Sequence, residues 1–151
     1  MIKQLILSLL FPIILLASNL KMNDKISNFS LTDQFDKIHT INSGISTIIV
    51  TFQKNTLEII NDFLSSKNEN FLENNHAIFI SNITSNPTIM TKMFTIPHLR
   101  DYKHTILLVH DENSIKFLKE ENKATIYSIS GGQVNNIQYI SSKDELERFF
   151  K

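Results

Sequence analysis

The chain has 151 residues, 15 basic and 15 acidic side chains, and no cysteine. Its length suits a single domain, and its hydrophobic content of 42% is ordinary for a globular protein and too high for a disordered one. Because the charges balance, no single-sign field is available to attract nucleic acid. Without cysteine, the protein has no disulfide, no thiolate nucleophile and no thiol for lipid attachment.

The first 18 residues are typical of a secretory signal peptide. Lys3 supplies positive charge, residues 5–16 form a largely apolar run, and Ala17-Ser18 supplies small residues near a cleavage point. The run is shorter than the ~20 residues that span a bilayer. We therefore expect residues 1–18 to be a cleaved signal peptide and the protein to be periplasmic or secreted. Because the residue two before Ser18 is large, an uncleaved membrane anchor is the alternative.

The rest of the sequence divides into a leader and one domain. Residues 19–28 are polar, which predicts a flexible leader, and residues 29–151 form the predicted domain. Residues 29–32 alternate apolar and polar side chains and predict a strand, followed by a turn and a return strand over 38–41. Asp36 suits that turn because aspartate tolerates a positive φ better than most residues.

The stretch from Ser46 to Leu64 is the centre of the predicted fold. Residues 46–52 form a continuous apolar run, which is typical of a strand buried on both faces, and an amphipathic helix follows. Asn55 is the expected helix cap, and Glu58 can complete a capping box. Sites in such sheets lie at the carboxyl ends of strands, where a helix start also offers unpaired backbone N–H groups.

A second helix is predicted to begin at Asn86-Pro87, where a capping residue is followed by proline at the first helical position. We expect its methionines to fill the core and not to form a ligand surface, and Pro97 to end the helix. The apolar residues on one face of this helix are Ile89, Met90, Met93 and Phe94.

The remaining elements complete an alternation of strands and helices. Gly131-Gly132 is a strong hairpin signal between two of the strands. The order of the elements predicts an α/β fold with a mixed central sheet and helices on both faces. These elements are strands over 76–80, 105–109, 124–129 and 134–140, a helix over 114–121, and a last helix opened by a capping box at Ser142–Glu145.

Three of these stretches resemble the thioredoxin fold, in particular its secreted thioredoxin-like (TlpA/peroxiredoxin-like) branch. Residues 29–37, FSLTDQFDK, resemble the opening hairpin of that branch, which often reads F-x-L-x-D-x-x-G-K, with Asp36 in place of the glycine. Residues 46–64 resemble its central strand and active-site helix, and residues 123–134 its closing hairpin. The resemblance implies a thioredoxin-like domain over nearly all of the mature chain.

Both functional hallmarks of that branch are missing. Residues 53–56 contain no cysteine, and Ala124 stands where the family has a cis-proline. A cis bond before alanine costs about 2.5–4 kcal/mol, so we expect a trans bond and a differently shaped groove. Thiol-disulfide exchange and thiol peroxidase activity are not expected, because both need a thiolate.

No motif marks another chemistry. His104 and His110 flank one predicted strand and lie six residues apart, so at ~3.3 Å per residue they are roughly 20 Å apart and cannot share a metal ion. We therefore predict no metal, no cofactor and no catalytic residue. In the polar loop 98–102, Arg100 either binds an anion or pairs with Asp101, and the ion pair is the commoner arrangement.

The leading hypothesis is a non-enzymatic module that binds a protein, peptide or small ligand outside the cytoplasm. The alternatives are an enzyme of non-thiol chemistry at the former active-site position and a membrane-tethered structural subunit, the latter only if the signal segment is retained. The predicted binding groove lies between two segments that the resemblance brings together. Its residues are Gln53, Lys54, Asn55, Thr56, Lys123, Ala124 and Thr125.

Overall fold

A computed structural model describes residues 18–86, 90–111 and 115–151. The predicted signal peptide falls almost entirely outside these residues, and none of the helices described is long and apolar enough to cross a membrane. The strands are β1 (Asn19–Leu20), β2 (Phe29–Asp33), β3 (Ile38–Ile41), β4 (Thr47–Thr51), β5 (Ala77–Asn82), β6 (Leu107–Val109), β7 (Lys116–Phe117), β8 (Ala124–Ser130) and β9 (Gln133–Ile140). The helices are α1 (Lys54–Ser65), α2 (Phe71–Asn74), a π-helical turn (Thr91–Thr95), α3 (Ile96–Leu99) and α4 (Lys143–Phe149).

Seven strands form one sheet in the order β3-β2-β6-β5-β4-β8-β9. The three strands β4, β5 and β6 are parallel, and β2 and β8 flank them in antiparallel orientation. The predicted α/β fold with a mixed central sheet is therefore confirmed. All five residues of β4 are buried, as the continuous apolar run predicts for a strand covered on both faces.

Alternate residues of the central strands pack into two separate cores. Ile49 packs with Leu57 of α1 and Leu146 of α4 on one face of the sheet. Ile48 packs on the other face, in a core that also contains Phe117 of β7. The described helices thus supply the first core, while the second core is covered by the small parallel sheet of β1 and β7.

The prediction of a helix over 114–121 is wrong for residues 115–121, which are the part of that range that the structure describes. Lys116–Phe117 pairs with Asn19–Leu20 as a two-stranded parallel sheet instead. The apolar side chains at 115 and 117 fit a period of two as well as a helical period, so the short pattern could not distinguish them. The pairing partner, which lies about a hundred residues earlier in the chain, decided the outcome.

Residues 19–28, predicted as a flexible leader, pack against the domain instead of extending from it. The backbone N–H of Asn23 donates to the carbonyl of Val134 at 2.9 Å, and the Tyr127 hydroxyl donates to the carbonyl of Leu20 at 3.0 Å. Burial raises the pKa of Tyr127 to about 12, so this hydroxyl keeps its proton under physiological conditions. The domain therefore includes residues before 29.

Several local predictions hold. The Ser142 side chain accepts from the backbone N–H of Glu145, whose carboxylate accepts from the backbone N–H of Ser142, so the capping box that opens α4 is confirmed. Gly131 and Gly132 have φ values of +58° and +72°, the left-handed pair that a tight hairpin needs. Asp36 has φ +63°, as its place in the turn predicted.

Candidate functional site

The junction between β4 and α1 positions the first half of the predicted groove. Helix α1 begins at Lys54, so Gln53 is its N-cap residue and makes no side-chain capping bond. The prediction that Asn55 caps the helix with Glu58 is therefore wrong. The Thr56 hydroxyl donates to the carbonyl of Gln53 at 2.9 Å, and the Asn55 side chain accepts from the backbone N–H of Thr56, which places both residues within the first turn.

The second half of the groove, residues 123–125, lies directly beside this junction. Thr125 pairs with Val50 across β4 and β8. The backbone N–H of Asn122 donates to the Gln53 side chain at 2.8 Å, and the Asn55 amide donates to the Asn122 side chain at 3.3 Å. The structure thus brings the two predicted segments together, and these hydrogen bonds tie them to each other.

The space between the two segments is largely filled. Thr56, Ala124 and Thr125 are all buried, and the Thr125 hydroxyl donates to the carbonyl of Leu118 at 2.7 Å. The peptide bond before Ala124 is trans, as expected. Lys123 remains partly exposed, and its ammonium lies 2.6 Å from the Glu120 carboxylate, which raises the pKa of the lysine. A bound ligand would therefore meet Gln53, Lys54 and Asn55 more readily than residues 124–125.

An open cavity lies at the carboxyl ends of β4 and β5 and is called here the carboxyl-end cavity. Its volume is about 480 Å³, and its walls include Gln53 and Lys54 from the predicted site. Apolar side chains of Phe52, Leu57 and Ile83 also line it. The position agrees with the general rule that sites in open α/β sheets form beyond the carboxyl ends of the strands.

The apolar rim of this cavity was not predicted. Met90 and Phe94 line the cavity, and with Met93 they are 47%, 59% and 61% exposed, respectively. The prediction that the methionines fill the core is therefore wrong for Met90 and Met93, while Ile89 lies outside the described residues. The chain passes through a π-helical turn and then α3, so the side chains do not keep the α-helical period on which the prediction relied.

Proline does not end the helix here as predicted. Pro97 lies in the first turn of α3, where its missing N–H costs nothing because the first N–H groups of a helix are unpaired in any case. One residue of the cavity could have been found from the sequence. Asn82 comes just after the strand predicted over 76–80, ends β5 and lines the cavity. Strand ends on neighbouring parallel strands meet at one edge of a sheet, so this residue could have been assigned to the site.

Arg100 in the loop 98–102 does not pair with Asp101. Its Nε donates to the carbonyl of Gln34 at 2.7 Å, and its guanidinium lies 3.3 Å from the Asp36 carboxylate. The predicted ion pair within the loop is therefore wrong. Arg100, which directly follows α3, instead binds the turn between β2 and β3. These bonds leave the arginine engaged away from the carboxyl-end cavity.

The charge of the carboxyl-end cavity is low. Among the described residues that line it, Lys54 is the only Lys, Arg, Asp or Glu, and its ammonium lies 3.7 Å from the exposed Glu58 carboxylate. His98 also lines the cavity, and its Nε2 lies 3.1 Å from the Tyr102 hydroxyl. No three His, Asp or Glu side chains in the described part of the chain converge as a metal site.

The comparisons with known proteins identify the fold. No protein-family model matches the sequence, and no curated protein matches it. The thioredoxin domain of a thiol-disulfide oxidoreductase from Bacteroides vulgatus superimposes with a TM-score of 0.54, at 11% identity over 88% of this chain and 100% of that one. StoA from Bacillus subtilis gives 0.52, at 10% identity over 83% and 97% of the two chains.

A peroxiredoxin-like protein from Aquifex aeolicus gives a TM-score of 0.51, at 8% identity over 87% of this chain and 86% of that one. At such identities the likeness shows the fold alone. Together with the confirmed mixed sheet, these comparisons show that the chain has a thioredoxin-like fold, and the sequence contains no cysteine.

Proposed function

We propose that this protein is a non-redox binding module of the thioredoxin-like fold, which acts outside the cytoplasm and holds an apolar segment of a protein or peptide in the carboxyl-end cavity. The observation that carries the proposal is the exposure of Met90, Met93 and Phe94 at and beside that cavity. Exposed apolar clusters with polar neighbours mark interaction sites in soluble proteins, and methionine side chains adapt to varied partners.

The cavity can contact both the side chains and the backbone of such a segment. Its walls at Phe52, Leu57 and Ile83 are apolar, which suits a buried aliphatic or aromatic side chain. The N-cap residue Gln53 lies at its edge and makes no side-chain capping bond, so the N–H groups of Lys54 and Asn55 have no side-chain cap, while the N–H of Thr56 donates to the Asn55 side chain. Backbone N–H groups of this kind can donate to a peptide carbonyl regardless of the peptide's sequence.

Chemistry at the same position is less well supported than binding. The chain contains no thiol, so a thiol-dependent reaction has no nucleophile. Among the described residues lining the cavity, the ionisable side chains are Lys54 and His98, with no carboxylate to act beside them. An enzyme of non-thiol chemistry is therefore the second hypothesis, and turnover by the purified protein would be its signature.

The test compares two phenylalanines with the same exposure. Phe94 and Phe35 are each 59% exposed, but only Phe94 lines the carboxyl-end cavity. Fluorescence anisotropy with a panel of ten-residue peptides, apolar at the centre and polar at the ends, measures binding. We expect Phe94→Ser to weaken the best peptide about tenfold or more, as truncation of an anchor residue does, while Phe35→Ser changes the affinity less than about twofold.

Equal losses of affinity in the two variants, or no binding by the wild-type protein, would contradict the proposal.

The location of the protein outside the cytoplasm is tested separately, by intact-mass measurement on the exported protein. We expect a species that begins near Asn19 in the soluble fraction. A membrane-bound species that retains residues 1–18 would instead favour the tethered alternative.

A further inference from the structure

A second cavity, called here the amino-end cavity, lies at the other end of β5 and has a volume of about 440 Å³. It exists because the sheet is incompletely paired at this point. Strand β6 begins at Leu107, which lies beside Ile80, so Ala77–Phe79 at the start of β5 have no β6 partner. The chain before β6 turns away from the sheet and leaves the space that the cavity occupies.

His104 is the buried polar side chain of this cavity. It is 4% exposed, lines the cavity, and places its Nε2 2.8 Å from the carbonyl oxygen of Leu64. Because a carbonyl only accepts, Nε2 must carry the proton, and Nδ1 of the neutral ring is therefore an acceptor. Among the described residues, Nδ1 has no hydrogen-bond partner. It is not among the side-chain atoms that are both fully buried and without a partner, so it is in contact with solvent. The ring thus offers an acceptor to the cavity.

Two carboxylates, those of Glu69 and Glu73, also line the cavity. Both residues are exposed, and neither carboxylate has a hydrogen bond or ion pair with the described residues. No lysine or arginine is found among the described residues that line the cavity. Among the described lining residues, Glu69 and Glu73 are thus the only Lys, Arg, Asp or Glu side chains, and their charge favours a cation.

The walls between these acceptors are apolar. Leu72, Phe79 and Leu107 line the cavity and are buried. In the described part of the chain no three His, Asp or Glu side chains approach closely enough to hold a metal ion. The acceptors are thus spread along a surface that suits a cation with a hydrocarbon part better than a bare ion.

We propose that the amino-end cavity binds a primary alkylammonium group, which donates to His104 Nδ1, whose charge is attracted by the carboxylates of Glu69 and Glu73, and whose alkyl chain lies against Leu72 and Phe79. Such a group is found in free aliphatic amines and in the lysine side chain. This site is separate from the carboxyl-end cavity, and the inference does not rest on the function proposed for that cavity.

Isothermal titration calorimetry with four ligands of one chain length tests the chemistry. Butylamine should bind. Butanol should not bind because it has no charge, and butyrate should not bind because its charge is negative. Butyltrimethylammonium keeps the positive charge but has no N–H donor, so it should bind about fivefold more weakly than butylamine, the loss expected for one or two hydrogen bonds. Equal affinity for butanol and butylamine, or no binding of butylamine, would overturn the proposal.

Protein variants test the location. Glu69 and Glu73 are exposed, so the double variant Glu69→Gln/Glu73→Gln should fold normally and bind butylamine about tenfold more weakly. Glu121→Gln is the matched control, because Glu121 is an exposed glutamate that lines neither cavity, and its affinity should be unchanged. If the double variant binds as the wild type does, the site lies elsewhere and the proposal fails.

The source of the amine is resolved by a parallel titration with lysine blocked at its α-amino and carboxyl groups. Tighter binding of blocked lysine than of butylamine identifies a protein side chain as the ligand, and tighter binding of butylamine identifies a free amine. Phe94→Ser should leave both affinities unchanged, since Phe94 belongs to the other cavity. Loss of amine binding in that variant would contradict the separation of the two sites.

Discussion

The carboxyl-end and amino-end cavities lie at opposite ends of the same central strands, have similar volumes of about 480 and 440 Å³, and differ in their side chains. The first combines an exposed apolar rim with Lys54 and has no carboxylate among its described lining residues. The second has the carboxylates of Glu69 and Glu73 and no lysine or arginine among its own. The two cavities at the ends of one sheet therefore differ in charge and in apolar exposure.

The origins of the two cavities also differ. The carboxyl-end cavity forms where neighbouring parallel strands end and a helix begins, which is a consequence of the topology and arises in many open sheets. The amino-end cavity depends on how this particular chain enters β6, with residues 104–106 held away from β5. The carboxyl-end cavity therefore follows from the fold, while the amino-end cavity follows from a few specific hydrogen bonds.

The largest loss of stability is expected when the hydrogen bonds from the Gln34 side chain to residues 104 and 106 are removed. Gln34 is fully buried, its amide donates to the carbonyl of His104, and its side-chain oxygen accepts from the N–H of Ile106, both at 2.9 Å. Gln34→Leu leaves both backbone groups unpaired, so the free energy of unfolding should fall by about 2–5 kcal/mol. Urea denaturation measures it, and amide hydrogen exchange should accelerate at 104–106 before it does at β4.

A surface glutamine provides the control for this prediction. The Gln133 side chain donates to the carbonyl of Asn23 at 2.6 Å but is exposed to water. Gln133→Leu should therefore cost less than about 1 kcal/mol, because water replaces the lost bond. If the two substitutions cost the same, the side chain of Gln34 does not hold the wall of the amino-end cavity.

The second prediction concerns pH at the amino end. Burial raises the pKa of Asp33, but hydrogen bonds from His39, at 2.7 Å, and from the N–H groups of Phe35 and Lys37 outweigh it and hold the pKa below 3.8. A carboxyl whose pKa is lowered by folding stabilises the protein above its unfolded pKa and loses that contribution as the pH falls through the folded pKa.

The stability of the wild-type protein should therefore decline as the pH falls below about 3.8. Asp33→Asn should remove this part of the decline and cost about 1–2 kcal/mol at neutral pH, because a charge-assisted bond becomes a neutral one. Thermal unfolding from pH 2 to pH 7 measures both quantities. An unchanged acid profile in the variant would show that Asp33 is not the responsible group.

The third prediction addresses the carboxyl end. Thr51 is fully buried at the end of β4, and its hydroxyl has no partner among the described residues. Thr51→Val replaces the hydroxyl by a methyl group of similar size, so we expect a gain of about 1 kcal/mol in the free energy of unfolding. Thr125→Val is the control and should destabilise, because the Thr125 hydroxyl donates to the carbonyl of Leu118.

The smallest change in stability is expected from a substitution of His76. This residue lines the amino-end cavity, and its backbone has φ +46°. A side chain in the left-handed region is strained, so His76→Gly should stabilise the protein by somewhat less than about 1 kcal/mol, since glycine also loses more chain entropy on folding. Asn75→Gly, at a neighbouring residue with φ −98°, should not stabilise it. Equal effects in denaturant unfolding would contradict the role of the backbone conformation.

Much of the fold was readable from short stretches of the sequence. The buried strand β4, the glycine hairpin, the turn at Asp36 and the capping box at Ser142–Glu145 are each specified by residues close together in the chain. The position of the carboxyl-end cavity could also be predicted, because the ends of the strands are known once the strands themselves are predicted. The lack of thiol chemistry followed from composition alone.

Only the tertiary structure decided which side chains meet. Phe94 has the pattern of a core residue, yet a π-helical turn leaves it exposed beside the cavity. Arg100 pairs with Asp36 and not with its neighbour Asp101, and β1 pairs with β7 across about a hundred residues. The physical reason is the same in each case. A long periodic segment indicates a helix or a strand by itself, but exposure, pairing and the type of short segments depend on partners that lie far away in the sequence.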